Sequence, residues 1–195
     1  MIGDPLLADR LRRALLTPEA ATALDVHGRT DAAVLVAIFV RAGRLHGVLT
    51  RRRDDLRRHP GEISFPGGRR DPADASLVAT ALREAHEEIG LEPAAARVVG
   101  ALQPTPTIVT GYAIYPFVAL IDDGTAWRLS AGEVAEVLEP ALDDLRAGYA
   151  RRRLLRRGLP IRTETYAAGD AIIWGATARI LADLFERIDR MEKGD

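Results

Sequence analysis

Apolar residues recur at helical spacing near both ends of this chain and gather into continuous or alternating runs between them. After Asp4-Pro5, Leu6, Leu7, Leu11 and Leu15 share one side of a 3.6-residue period. This predicts a helix over Asp4 to Leu16 with the aspartate as N-cap and the proline in its first turn. The run AAVLVAIFV, Ala32 to Val40, is apolar without a break, ends at RAGR, and is followed by the more alternating LHGVLTR. The two predict a hairpin whose first strand is buried on both faces. RVVGALQ and YAIYPFVALID read as further strands, parted by PTPTIVTG, where two prolines and a glycine force a turn or loop. AWRLS predicts a strand, and GEVAEVLEPALDDLRAG a short acidic stretch and then a helix. RRRLLRRGLP reads as a surface turn or a lid. The end of the chain predicts a strand or hairpin and an amphipathic helix with Ile180, Leu181, Leu184, Phe185 and Ile188 on one side. Helices at both ends and in the middle, among several strands, make the fold class mixed α/β.

Between Arg53 and Ala75 the pattern has no period, only charge and Pro60, Gly61, Pro66, Gly67, Gly68 and Pro72. A long structured loop is expected there, and such loops in compact domains are usually functional. A helix from about Ala75 to Ile89 follows, with Asp74 as its expected N-cap and Gly90 just past its end. At about 100° per residue, Val78, Leu82, Ala85 and Ile89 fall within an arc of about 60° and define a core face. Glu84, Glu87 and Glu88 occupy a separate arc, where like charges three and four apart repel. Arg83 offsets part of this, and a hard divalent cation such as Mg²⁺ or Mn²⁺ would offset the rest. A run of Glu and Arg is by itself more often a solvated helix face; the glycine pair ahead of it, able to approach a metal or phosphate closely, shifts the weight toward a site.

Composition narrows the classes. A chain of 195 residues suits one domain spanning 1–195, with a net charge of -1 from 27 basic and 28 acidic side chains. Near-neutral charge and 5% aromatic residues argue against a nucleic-acid partner, and there is no bulk attraction to a membrane surface. Cysteine is absent, which removes thiol nucleophiles and zinc-thiolate sites and fits a reducing, cytoplasmic setting. Neither a signal peptide nor an apolar run of about 18 residues is seen.

The stretch from Gly68 to Leu91 resembles the box of the Nudix hydrolases, in which a glycine, a carboxylate and then R-E-U-x-E-E-x-G-U form a loop, helix and loop. Arg83, Glu84, Ala85, Glu87, Glu88, Gly90 and Leu91 stand at its places, with Ala85 small for its position. Five residues part Gly68 from Asp74, as in the pattern, but eight rather than seven lead on to Arg83, and Asp replaces Glu. Whether Asp74 meets Arg83 is left open by that spacing. Upstream, Val48 to Gly68 resembles the segment preceding the box in the coenzyme A pyrophosphatase branch, with Leu49, Thr50, Arg52, Arg57, Gly61, Phe65, Pro66, Gly67 and Gly68 in register.

The resemblance implies an α/β/α sandwich with a mixed central sheet, acting as a Mg²⁺- or Mn²⁺-dependent pyrophosphohydrolase. Metal ligands would be Glu84, Glu87, Glu88 and the Gly68 carbonyl, with Arg83 holding the carboxylates. Arg52, Arg57, Thr50, Gly61 and Gly67 would bind substrate, the arginines by bidentate contacts to phosphate. The group that activates water is expected among Glu133, Glu136 and Glu88. The implied partner is a small nucleotide, coenzyme A first, and a homodimer is allowed. Rival readings are another nucleoside diphosphate derivative, such as ADP-ribose or NADH, and a Nudix-like module that binds a nucleotide metabolite without hydrolysing it. His27, His46, His59 and His86 receive no role.

Overall fold

The computed structural model describes residues 4–56, 61–107, 111–156 and 159–193. Strand β1 (Thr30–Arg41) is its axis. It pairs antiparallel with β2 (Arg44–Gly47) through a tight turn at Ala42-Gly43, and in parallel with β8 (Tyr112–Leu120), while β6 (Arg97–Ala101) runs antiparallel beyond β8. The continuous apolar run of β1 has a simple cause. Ala33, Leu35, Ala37 and Phe39 point into one core and Val36 and Ile38 into another, so neither face meets water.

One face carries α3 (Leu77–Ile89), whose Leu77, Ala81, Ala85 and Ile89 pack beside Leu35 and Phe117. The other is covered by α1 (Pro5–Ala14) and α5 (Gly175–Lys193). On α5, Ile180, Leu181, Leu184, Phe185 and Ile188 are all buried, as their spacing predicted. Asp4 caps α1 by accepting from the Leu6 amide. Helices thus lie on both sides of a mixed sheet, the expected α/β/α arrangement. Among the described residues, no helix is long and apolar enough to cross a membrane.

Four segments differ from expectation. The aperiodic stretch before α3 holds two short strands, β4 (Ile63–Ser64) and β5 (Gly67–Arg69). The first joins β3 (Leu49–Arg52) and β9 (Val134–Leu138) in a second sheet, and the second pairs antiparallel with β1, Gly68 opposite Ala33. Two or three residues are too few to show a period. AWRLS forms no strand; it runs along the end of α3, where the Arg128 and Ser130 amides donate to the Ile89 and Glu88 carbonyls and satisfy groups that a helix terminus leaves open. The acidic stretch after it is instead β9. The described residues of RRRLLRRGLP, expected as a surface turn or a lid, lie on two paired strands, β10 (Ala150–Arg156) and β11 (Leu159–Ala168), and β12 (Ala171–Trp174) continues their sheet. The strand β7 (Thr105–Pro106) and the helices α2 (Pro18–Thr22) and α4 (Leu142–Ala147) complete the chain.

Candidate active site

The site forms where β5 lies against α3. At Gly67 nothing larger fits, because a Cβ would lie 2.3 Å from the Ala33 carbonyl oxygen; at Gly68 a Cβ would lie 2.4 Å from the Glu84 carboxyl carbon and would displace that carboxylate. The Gly67 amide donates to Glu88 Oε2 at 3.2 Å, so this glycine, expected at substrate, is already engaged with a carboxylate. Helix α3 begins two residues later than its expected start, with Ser76 as N-cap accepting from the Ala79 amide. Gly90 closes it in the left-handed conformation, φ 71°.

Asp74 is therefore not the cap. It accepts two hydrogen bonds from Arg83, Nε at 2.9 Å and Nη2 at 3.1 Å, and further ones from the Thr80 hydroxyl and the Asp71 amide. These donors, Arg83 foremost, hold its carboxyl well below the usual carboxylate range. Moving the cap to Ser76 absorbs the extra residue in the loop. Arg83 also reaches Glu84 Oε1 at 2.9 Å, Glu87 Oε2 at 3.1 Å and the Arg69 carbonyl at 3.1 Å, so one guanidinium ties together three carboxylates and the end of β5.

The three box glutamates are not equivalent. Glu88 is 7% exposed, and burial pushes its carboxyl up to about 7, against the Gly67 amide and with further lift from Glu84 and Glu133. Glu84, half-buried, is likewise raised, first by desolvation. Glu87 points outward with its side chain 57% exposed, held by Arg83. Among the described residues no three acidic side chains already converge on one point, so a ready-made metal cage is not present. The donor set still fits a hard cation: a buried and a half-buried carboxylate, repelling each other, beside a glycine backbone whose lack of a side chain leaves room for the Glu84 carboxylate.

The other expected residues divide. Glu133, at the start of β9, lies close enough to raise both Glu84 and Glu88. Glu136 does not join them; half-exposed on the opposite face of β9, it pairs with Arg51 at 3.1 Å. Arg52 lies within electrostatic reach of Glu88, and its Nε is buried without a hydrogen-bond partner. Thr50, expected at substrate, is 1% exposed and its hydroxyl donates to the Ser64 carbonyl at 3.2 Å, tying β3 to β4. Gly61 sits in a turn against Asp54. Arg57 lies outside the described residues, as does His59. Sequence reasoning passed over Arg51, whose contacts are all distant along the chain and leave no local pattern.

A model of the NUDIX domain matches residues 29–157. The Nudix hydrolase NudL of Enterobacter sp. (strain 638), itself described as uncharacterized, is 39% identical over 184 residues, covering 93% of this chain and 94% of that protein. With the box geometry in place, the chain belongs to the Nudix family. That membership makes it a hydrolase acting on diphosphate linkages. Solved structures agree in fold: a MutT/nudix family protein from Enterococcus faecalis superposes with a TM-score of 0.54 at 13% identity, covering 98% of this chain and 77% of its own. The Nudix hydrolase RenU from M. smegmatis does so with 0.53 at 17% identity, covering 90% and 94%.

Proposed function

We propose that the whole chain, 1–195, works as one cytoplasmic Nudix domain that hydrolyses coenzyme A or its derivatives to 3',5'-ADP and 4'-phosphopantetheine or its acyl form. The observation that carries this reading is Arg52. Its Nε is buried with no hydrogen-bond partner among the described residues, and its nearness to Glu88 puts a cation beside the acidic site, in the very segment whose pattern resembles the coenzyme A branch. Arg57, eight positions before Phe65 in the sequence, falls in the same pattern and is assigned a second phosphate contact.

Glu84, Glu88 and the Gly68 carbonyl would hold Mg²⁺ or Mn²⁺, with Glu87 joining directly or through water. Bound there, the ion supplies positive charge to offset the diphosphate and acidify a water. Arg83 keeps Glu84 and Glu87 apart from the substrate's own cationic contacts and is itself fixed by Asp74. Water attacks one phosphorus, its proton passes to Glu133, and the other phosphate leaves with the broken P–O bond's electrons; no covalent enzyme intermediate forms. Glu133 is chosen over Glu136 because it lies close enough to Glu84 and Glu88 to raise both.

The test is a panel of coenzyme A, acyl-coenzyme A, ADP-ribose and NADH with Mg²⁺ or Mn²⁺, products resolved by chromatography. Coenzyme A or its acyl form is expected to turn over fastest, and Glu88→Gln to abolish turnover while the protein stays folded. Hydrolysis of ADP-ribose alone would overturn the coenzyme A reading, and binding without turnover of any compound would favour the non-hydrolytic module.

A further inference from the structure

Strands β3 and β9 pair regularly from Leu49 opposite Leu138 to Arg51 opposite Glu136, and then the register slips: Arg52 faces Val134, leaving Ala135 without an opposite. A bulge of this kind bends the strand that carries it and re-aims the residues beyond, and bulges gather beside active sites. Beyond it come Val134, opposite Arg52, and then, immediately before β9, Glu133. Its carbonyl accepts from the Arg53 amide at 3.1 Å, its own amide donates to Ser130, and its carboxylate raises Glu84 and Glu88.

On the other face of the sheet the last regular pair carries an ion pair. Arg51 shares that face with Leu49, away from α3, and its guanidinium spans two separate segments: Nε to Glu136 Oε2 at 3.1 Å, and Nη2 to Asp170 Oδ1 at 3.0 Å in the turn between β11 and β12. The last regular pair before the slip is thus clamped by an ion pair that is itself anchored to a third sheet. Arg51 is only 25% exposed, so its stem is packed as well as its head bonded.

We propose that Arg51 is a positioning residue for the reaction. By fixing Glu136 at the last regular pair, and Asp170 behind it, it sets the bulge at Ala135 and so holds Glu133 toward Glu84 and Glu88. Glu136 then serves as an anchor and not as a base. The inference rests on the role given to Glu133 above.

The experiment is a double-mutant cycle with a second, non-kinetic readout. Arg51→Met is expected to lower kcat about tenfold with KM within about twofold, since a small misplacement of a catalytic group costs rate more than binding. In a Glu133→Gln background, already slowed, the same change should have no further effect, and Glu136→Gln should reproduce the Arg51→Met loss without adding to it. In metal-free protein, Arg51→Met should speed hydrogen exchange of the Arg53 and Glu133 amides while those within β1 stay protected. Arg51→Lys should recover part of the rate. An unchanged kcat, or an equal loss in both backgrounds, overturns the inference. Full activity in Glu133→Gln alone removes the role of Glu133 first, and is told apart by that single variant. If Arg51→Met folds poorly, Glu136→Gln and Asp170→Asn carry the same comparison, because each removes one end of the clamp and leaves β3 intact.

Discussion

Raising the pH of the metal-free protein from about 5 to about 8 ionises Glu88 where it stands, buried and with one backbone amide for company. Its carboxyl titrates at about 7 in the fold against 4.5 in the open chain. Between those values the native state holds a proton that the unfolded state has released, so stability is fully present below about 4.5 and falls as pH rises through about 7. At roughly 1.4 kcal/mol per pH unit, the loss reaches about 3 kcal/mol. Glu84 is raised too and adds in the same direction, whereas Asp74, Asp123, Asp144 and Asp170 are lowered and act only in more acidic solution. For a protein of this size the change corresponds to a drop in Tm of about 6–12 °C. The assay is thermal unfolding in chelator across that range, for wild type and Glu88→Gln. The neutral variant should show a flatter profile and be the more stable of the two at pH 8. Mg²⁺ should restore the wild type most at high pH, because it competes with the proton, and should help Glu88→Gln little. A wild-type Tm that is flat or rises over this interval, or a Glu88→Gln protein less stable at pH 8 without metal, would refute the reasoning.

The two glycines should answer differently to the same substitution. Gly68→Ala meets only the movable end of Glu84, so Tm should hold within a few degrees while metal-dependent turnover falls at least about 100-fold; Gly67→Ala meets the Ala33 backbone and should unfold the protein at markedly lower temperature. Asp74→Ala removes two bonds to Arg83 and leaves its guanidinium half-satisfied, which should cost about 2–3 kcal/mol in urea unfolding and lower kcat about tenfold or more, with Asp74→Asn milder on both counts.

Much of the fold was legible because its elements are long enough to show a period. The burial of β1 on both faces follows from an unbroken apolar run, and α5 from five residues on one stripe. The misread parts are those where tertiary partners decide. A two-residue strand such as β4 exists because β3 lies beside it, and AWRLS stays out of any ladder because the open carbonyls of α3 take its amides instead. In the ribbon of β10 and β11, three successive arginines masked an alternation that only pairing reveals, with Arg151 opposite Glu164 and Arg152 opposite Thr163.

The site was legible in its residue types and less so in its wiring. Spacing placed Glu84, Glu87 and Glu88 on one side of α3, but it could not say that Glu87 would turn outward to Arg83 while Glu88 turned inward to the Gly67 amide. The difference is set by β5, which covers one edge of the helix and leaves the other open. The long loop raised a similar question at Asp74, and the answer came from its competitor: once Ser76 takes the helix N-terminus, Asp74 is free to accept from Arg83. A carboxylate one residue early and one methylene shorter than the family pattern still reaches the same guanidinium, since a loop ahead of a helix can shift its path while the helix cannot shift its spacing. The fixed element is therefore Arg83 and its two glutamates, and the variable one is the loop that brings it a partner.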